Sequence, residues 1–147
     1  MTGTARRLFT IIAILAVLGI GVSSLSLQHH YAKSKTSYCD FGENFNCDLV
    51  NRSQYSAIAG IPVALIGIAG YAALLALSTL YREKAETPGM LLVASGAGLA
   101  FALYLTYVEG VILQAWCILC LTSMITVLLI TVFSAVLLTH SMRKSTP

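Results

Sequence analysis

The chain alternates four long apolar runs with short polar breaks. The uncharged runs are Leu8–Leu27, Ala57–Tyr81, Pro88–Val108 and Trp116–Thr139. A helix needs roughly 20 apolar residues to cross the ~30 Å hydrocarbon layer of a bilayer, and each run is that long. A helix also pairs its own backbone groups, which lipid cannot do. The pattern predicts an all-α integral membrane protein. Residues 1–147 should form a single four-transmembrane-helix bundle, with a long outer loop, residues 28–56, between helices one and two. Arg6 and Arg7 ahead of the first run look like a signal leader. That run is longer than a typical signal core and no clear small-x-small cleavage site closes it, so it reads as a retained span.

Composition agrees with this class. The chain is 57% hydrophobic and 10% charged, which excludes an ordinary soluble domain. The net charge of +3 does not point to nucleic acid, because the basic residues are scattered in pairs at the ends of apolar runs. Their placement predicts orientation instead. Arg6, Arg7, Arg82, Lys84, Arg143 and Lys144 fall on one side; Lys33, Lys35 and Arg52 fall on the other. Both termini are therefore expected in the cytoplasm, and all four cysteines outside, where disulfides form and persist.

Within the second and third runs, Ala64, Gly67, Gly70 and Ala73, and Ala94, Ala97, Gly98 and Ala102, recur at helical spacing. Such residues let helix backbones approach closely in lipid, so they read as packing surfaces. Tyr104 and Tyr107 fit an interfacial aromatic belt, and Glu109 reads as a solvated end of the third span. Gly60-Ile61-Pro62 opens the second span, since Pro in a first helical turn loses no intrahelical bond.

The chemistry sits in the cysteines. Cys117 and Cys120 form a Cys-x-x-Cys pair at the mouth of the last run, three apart and so on one helix face. The unpaired N–H groups of a first turn favour the thiolate, the reactive form. Cys39 and Cys47 lie in the outer loop, seven residues between them. A loop pair can reach outward to a partner and inward to the rigid pair, passing electrons by thiol–disulfide exchange. Two inert staples are the alternative, though a four-residue staple adds little to a formed helix. Four thiolates can also hold zinc, but the pairs are asymmetric and no metal is expected. Trp116, beside Cys117, reads either as a belt residue or as a pocket wall.

At these residues the chain resembles the vitamin K epoxide reductase family. The resemblance covers nearly the whole length: four spans, the Cys39-x₇-Cys47 loop, Ser53, and Trp116-Cys117-Ile118-Leu119-Cys120 at the last span. The other quinone-linked disulfide oxidases of bacteria place the two kinds of pair in the reverse order. The resemblance implies that Cys39 is attacked by the reduced partner and that Cys47 relays through a mixed disulfide with Cys117. It implies that Cys120 faces the quinone and that Ser53 positions the relay. Met124 stands where vertebrate members have a Tyr, and Ser53 to Pro62 is too short for their Asn-bearing insertion.

The resemblance thus implies a quinone-dependent thiol oxidase of the bacterial inner membrane. A reduced, separate thioredoxin-like periplasmic protein would feed Cys39–Cys47, and Cys117–Cys120 would reduce a non-covalently bound ubiquinone or menaquinone near Cys120, Trp116 and Met124. The rivals are a vitamin K epoxide reductase of the endoplasmic reticulum, and a non-catalytic four-helix protein with structural or metal-binding cysteines.

Overall fold

A computed structural model describes residues 2–31 and 54–146. Cys39, Cys47 and Ser53 lie outside the described residues, as does most of the outer loop. Four helices make the bundle: α1 (Gly3–Tyr31), α2 (Val63–Thr79), α3 (Thr87–Tyr107) and α4 (Ile118–Ser145). Three apolar helical stretches, Gly3–Gln28, Thr87–Leu113 and Ile118–Ser145, are long enough to cross a membrane. With α2 beside them, the chain is a multi-pass membrane protein.

The second span is shorter than its apolar run predicts. Ala57–Ile58 (β1) and Ile61–Pro62 (β2) pair antiparallel, with Ala57 opposite Pro62 and Ile58 opposite Ile61. The two residues between them, Ala59 and Gly60, have φ of 53° and 83°. Positive φ at both positions is what a tight hairpin turn with the twist of its strands demands. Pro62, which has no N–H to give, then stands as the N-cap and α2 begins only at Val63. An uncharged run cannot distinguish this hairpin from a helical turn, because both are apolar.

Burial is inverted relative to a soluble protein. Ile14, Val17, Leu18, Val93, Ile125, Val132 and Val136 are exposed around the outside, where acyl chains would cover them. The interior holds Phe9, Ile12 and Ala16 of α1, Tyr71 and Leu74 of α2, Leu91 of α3, and Val127, Ile130 and Leu137 of α4. Several hydroxyls within the helices return to their own backbones: Ser24 donates to the Ile20 carbonyl at 2.8 Å and Thr126 to that of Thr122 at 2.8 Å. Each donor is thereby satisfied without water.

Both termini and the α2–α3 turn meet at one end of the bundle, where Thr2, Arg82, Lys84, His140 and Lys144 surround a shallow cleft. Cys117 and Cys120 therefore belong to the opposite end. Tyr104 and Tyr107 are exposed on α3 on the approach to that end, as an aromatic belt requires.

Candidate redox site

The thiol end is built by an irregular turn between α3 and α4. After Tyr107 the helix widens into a π-type segment, Val108–Leu113, that ends on Gln114 in the left-handed conformation with φ 51°. The Glu109 carbonyl accepts from the N–H of Gln114 and, at 3.1 Å, from that of Ala115. The Glu109 side chain turns the same way: its Oε2 accepts the Cys117 N–H at 3.1 Å. One residue thus receives three backbone N–H groups of the segment that delivers the first cysteine. Wide i→i+5 turns of this kind occur mostly at functional sites.

Cys117 is the N-cap of α4, in extended conformation (φ −110°, ψ 116°), and its carbonyl accepts the Leu121 N–H at 3.0 Å. Cys120 lies in the first turn, so the pair straddles the helix start rather than sitting wholly within the helix. No disulfide joins Cys117 to Cys120. Cys117 is fully buried among Ala115, Leu119, Leu113 and Val22. Cys120 and Glu109 face the same cavity, on opposite sides of Cys117 in the chain.

Glu109 is only 2% exposed, and this corrects the expectation of a solvated end. Position in the sequence suggested an interface; the π-type segment instead rotates the side chain inward. Its Oε1 has no hydrogen-bond partner among the described residues. A signal was available: Glu109 is the sole acid between Glu86 and the C-terminus, eight residues before Cys117.

Beside this cluster an elongated cavity of ≈ 390 Å³ runs into the bundle. Cys120 and Glu109 bound it at the thiol end; Ser123 and Tyr71 lie on its wall further in. The Tyr71 hydroxyl donates to the Ser123 carbonyl at 2.8 Å and lies 2.8 Å from its Oγ. Volume and lining suit a ring with a lipid tail: ligand pockets are mainly apolar, with few polar groups.

The small residues of α2 and α3 prove to have two jobs. Gly67 and Gly98 do permit close approach, because an added Cβ would meet Ser23 Oγ at 2.9 Å and Val127 Cγ2 at 3.3 Å. Yet Ala64, Gly67, Gly70, Ala94, Ala97, Gly98 and Ala102 also line the cavity, and a Cβ on Gly70 would meet nothing within 4 Å. Their smallness leaves space between α2 and α3 as well as closing α2 on α1 and α3 on α4.

Trp116 is packed over Gly110, where an added Cβ would lie 3.0 Å from its ring, and it does not line the cavity. Met124 receives the Thr106 hydroxyl at 3.2 Å on its sulfur, and it is Thr106 that lines the cavity. The structure thus brings together Cys117, Cys120 and Glu109, with neither Trp116 nor Met124 on the cavity lining. No group of metal-ligating side chains is found among the described residues. The sequence model of the Vitamin K epoxide reductase family matches residues 10–135, most of the chain. A dithiol at the end of a four-helix membrane bundle and a match of this extent lead to one conclusion: the chain belongs to the vitamin K epoxide reductase family, whose members are oxidoreductases that use quinones.

Proposed function

We propose that the protein is a thiol:quinone oxidoreductase that supports disulfide formation in exported proteins. The observation that carries this reading is the juxtaposition of the Cys-x-x-Cys pair with an apolar cavity that Cys120 and not Cys117 lines. The deeper thiol is presented to a ligand within the bundle, and its neighbour, at the helix cap, is the one left for a partner sulfur. A quinone held there without covalent linkage, of the ubiquinone or menaquinone type, supplies a two-electron acceptor. Cys120 delivers the electrons, and Cys117 closes the disulfide.

Cys39 and Cys47 are proposed as the entry pair. A reduced thioredoxin-like protein attacks at Cys39, and Cys47 exchanges with Cys117; Ser53 helps hold that relay. The positive residues at the end shared by the termini, Arg6, Arg7, Arg82, Lys84, Arg143 and Lys144, favour a cytoplasmic location for that end. The thiols then face the periplasmic side of a bacterial inner membrane. This is the compartment in which an oxidised loop pair persists.

The test is anaerobic mixing of the reduced protein with a short-chain ubiquinone or menaquinone, following quinol absorbance. Two quinols per fully reduced chain are expected, one from each cysteine pair, and one in Cys39→Ala. Cys39→Ala should keep this reaction yet lose oxidation of a reduced thioredoxin-like protein. Normal oxidation of that protein by Cys39→Ala would reduce the loop pair to a staple, and no quinol from the wild type would end the oxidase reading.

A further inference from the structure

Reducing a quinone takes two electrons and two protons, and the thiol pair holds both. The protons must leave sulfur and reach two ring oxygens inside a cavity that no lysine, arginine or histidine among the described residues lines. Among the described residues, the titratable groups that share the cavity with Glu109 are Cys120 of the α4 start, Tyr71 of α2 and Tyr55 of the 3-10 turn at Gln54–Ser56, and Cys117 gives it a backbone N–H. All of these become anions when they ionise. In so apolar a place two adjacent negative charges exclude one another. Glu109 and Cys120 therefore share one negative charge: either carboxylate with thiol, or carboxylic acid with thiolate.

The geometry around Glu109 gives this exchange a direction. Oε2 is committed to the Cys117 N–H, whereas Oε1 is buried, without a partner among the described residues. The same side chain lines the cavity together with Cys120. A residue serving only to cap the turn would need one oxygen and no opening to the cavity.

We infer that Glu109 is a catalytic proton relay, which takes the Cys120 proton and hands it to a quinone oxygen. The inference rests on the oxidase reading above. The carboxylate of Glu109 accepts the proton as the Cys120 S–H bond breaks. Cys117 gives up its own proton, and the S–S bond forms as two electrons pass to the quinone. The proton held on Glu109 and the one from Cys117 make the two O–H bonds of the quinol. Glu109 ends ionised, as it began.

The experiment uses the full-length reduced protein in detergent, wild type and Glu109→Gln. Glutamine keeps an oxygen for the Cys117 N–H but cannot carry the proton. Trp116 emission and far-ultraviolet circular dichroism verify the fold. In the wild type the thiolate forms at the expense of the neighbouring carboxylate, with no net proton release. Capture of Cys120 by iodoacetamide, located by mass spectrometry, should then be nearly flat between about pH 8 and 9, where the pair already holds its single charge. In Glu109→Gln the proton must go to water, so capture should climb about tenfold per pH unit up to the thiol's own titration.

Quinone reduction by the variant should fall by about 10²-fold or more, the usual worth of a positioned acid–base group. A wild-type capture rate that itself climbs tenfold per unit between about pH 8 and 9 overturns the relay, whether or not the variant folds and whether or not quinone is reduced. Variant quinone reduction within threefold of wild type also overturns it and leaves Glu109 as a cap. A flat wild-type profile in a protein that reduces no quinone overturns the oxidase reading and the hand-over to the ring, but keeps Glu109 as the thiol's base.

Discussion

The carboxylate Oε2 of Glu109 lies 3.1 Å from the backbone nitrogen of Cys117 and accepts its hydrogen. An acid eight positions upstream thus fixes the backbone of the first cysteine, inside a protein whose remaining described acids are all remote from the thiols. Removing that acceptor strands a buried N–H. Glu109→Ala should lower stability by about 1–3 kcal/mol, the cost of an unmade buried hydrogen bond to a charged group. Glu109→Gln should cost less, and thermal unfolding in detergent followed by Trp116 emission would rank the two.

Gly110 and Trp116 form the other half of that turn. A Cβ at Gly110 would sit 3.0 and 3.1 Å from two atoms of the indole. Gly110→Ala should displace the ring, shift the emission of this sole tryptophan, and slow thiol reactivity through the adjoining Cys117. An unshifted spectrum with normal reactivity would mean the turn has slack.

Cavity space can be separated from packing with two glycines. An added Cβ on Gly70 meets nothing, whereas one on Gly19 would fall within the Tyr71 ring. Gly70→Leu should therefore raise KM for quinone about tenfold or more with little change in thermal stability. Gly19→Ala should destabilise by about 1–3 kcal/mol, as overpacking does. An unchanged quinone KM in Gly70→Leu would place the ligand elsewhere.

Tyr71→Phe deletes the hydroxyl that satisfies the Ser123 carbonyl and side chain across α2 and α4. Interhelical hydrogen bonds in membranes average about 0.6 kcal/mol, so the stability change should be small. Because Tyr71 and Ser123 both line the cavity, a rise in quinone KM larger than the stability loss would assign them to the ligand.

Orientation has a direct assay. A membrane-impermeant thiol reagent should label reduced Cys39 on intact spheroplasts. Labelling only after lysis would invert the topology and remove the oxidising compartment from the proposal.

The architecture was legible because lipid imposes one rule on every residue of a span: four uncharged runs had to be four crossings. The Cys-x-x-Cys pair was legible because its spacing and position carry chemistry on their own. What hydropathy hid were changes of backbone path within apolar sequence. Ala57–Pro62 is as greasy as a helix and folds as a hairpin; Val108–Leu113 continues α3 in composition and departs from it in pitch. Glu109 was misplaced for this second reason, since counting residues from a regular helix leaves it at the rim. The small residues of α2 and α3 misled differently, because the same side chains permit contact on one face and leave a void on another.

The π-type segment also has a consequence for chain length. A helix that closes i→i+5 bonds holds one more residue per turn than an α-helix would in the same place. Deleting a single residue, Val111 for instance, would let α3 run on with regular pitch. Every residue beyond the deletion would then swing by about 100° relative to those before it. Glu109 would lose its hold on the segment that carries Cys117. Elsewhere, as in the polar Arg82–Glu86 turn, one residue more or less should pass almost unnoticed. Insertions and deletions should therefore be tolerated at one end of this bundle and forbidden at the other, between Val108 and Cys117.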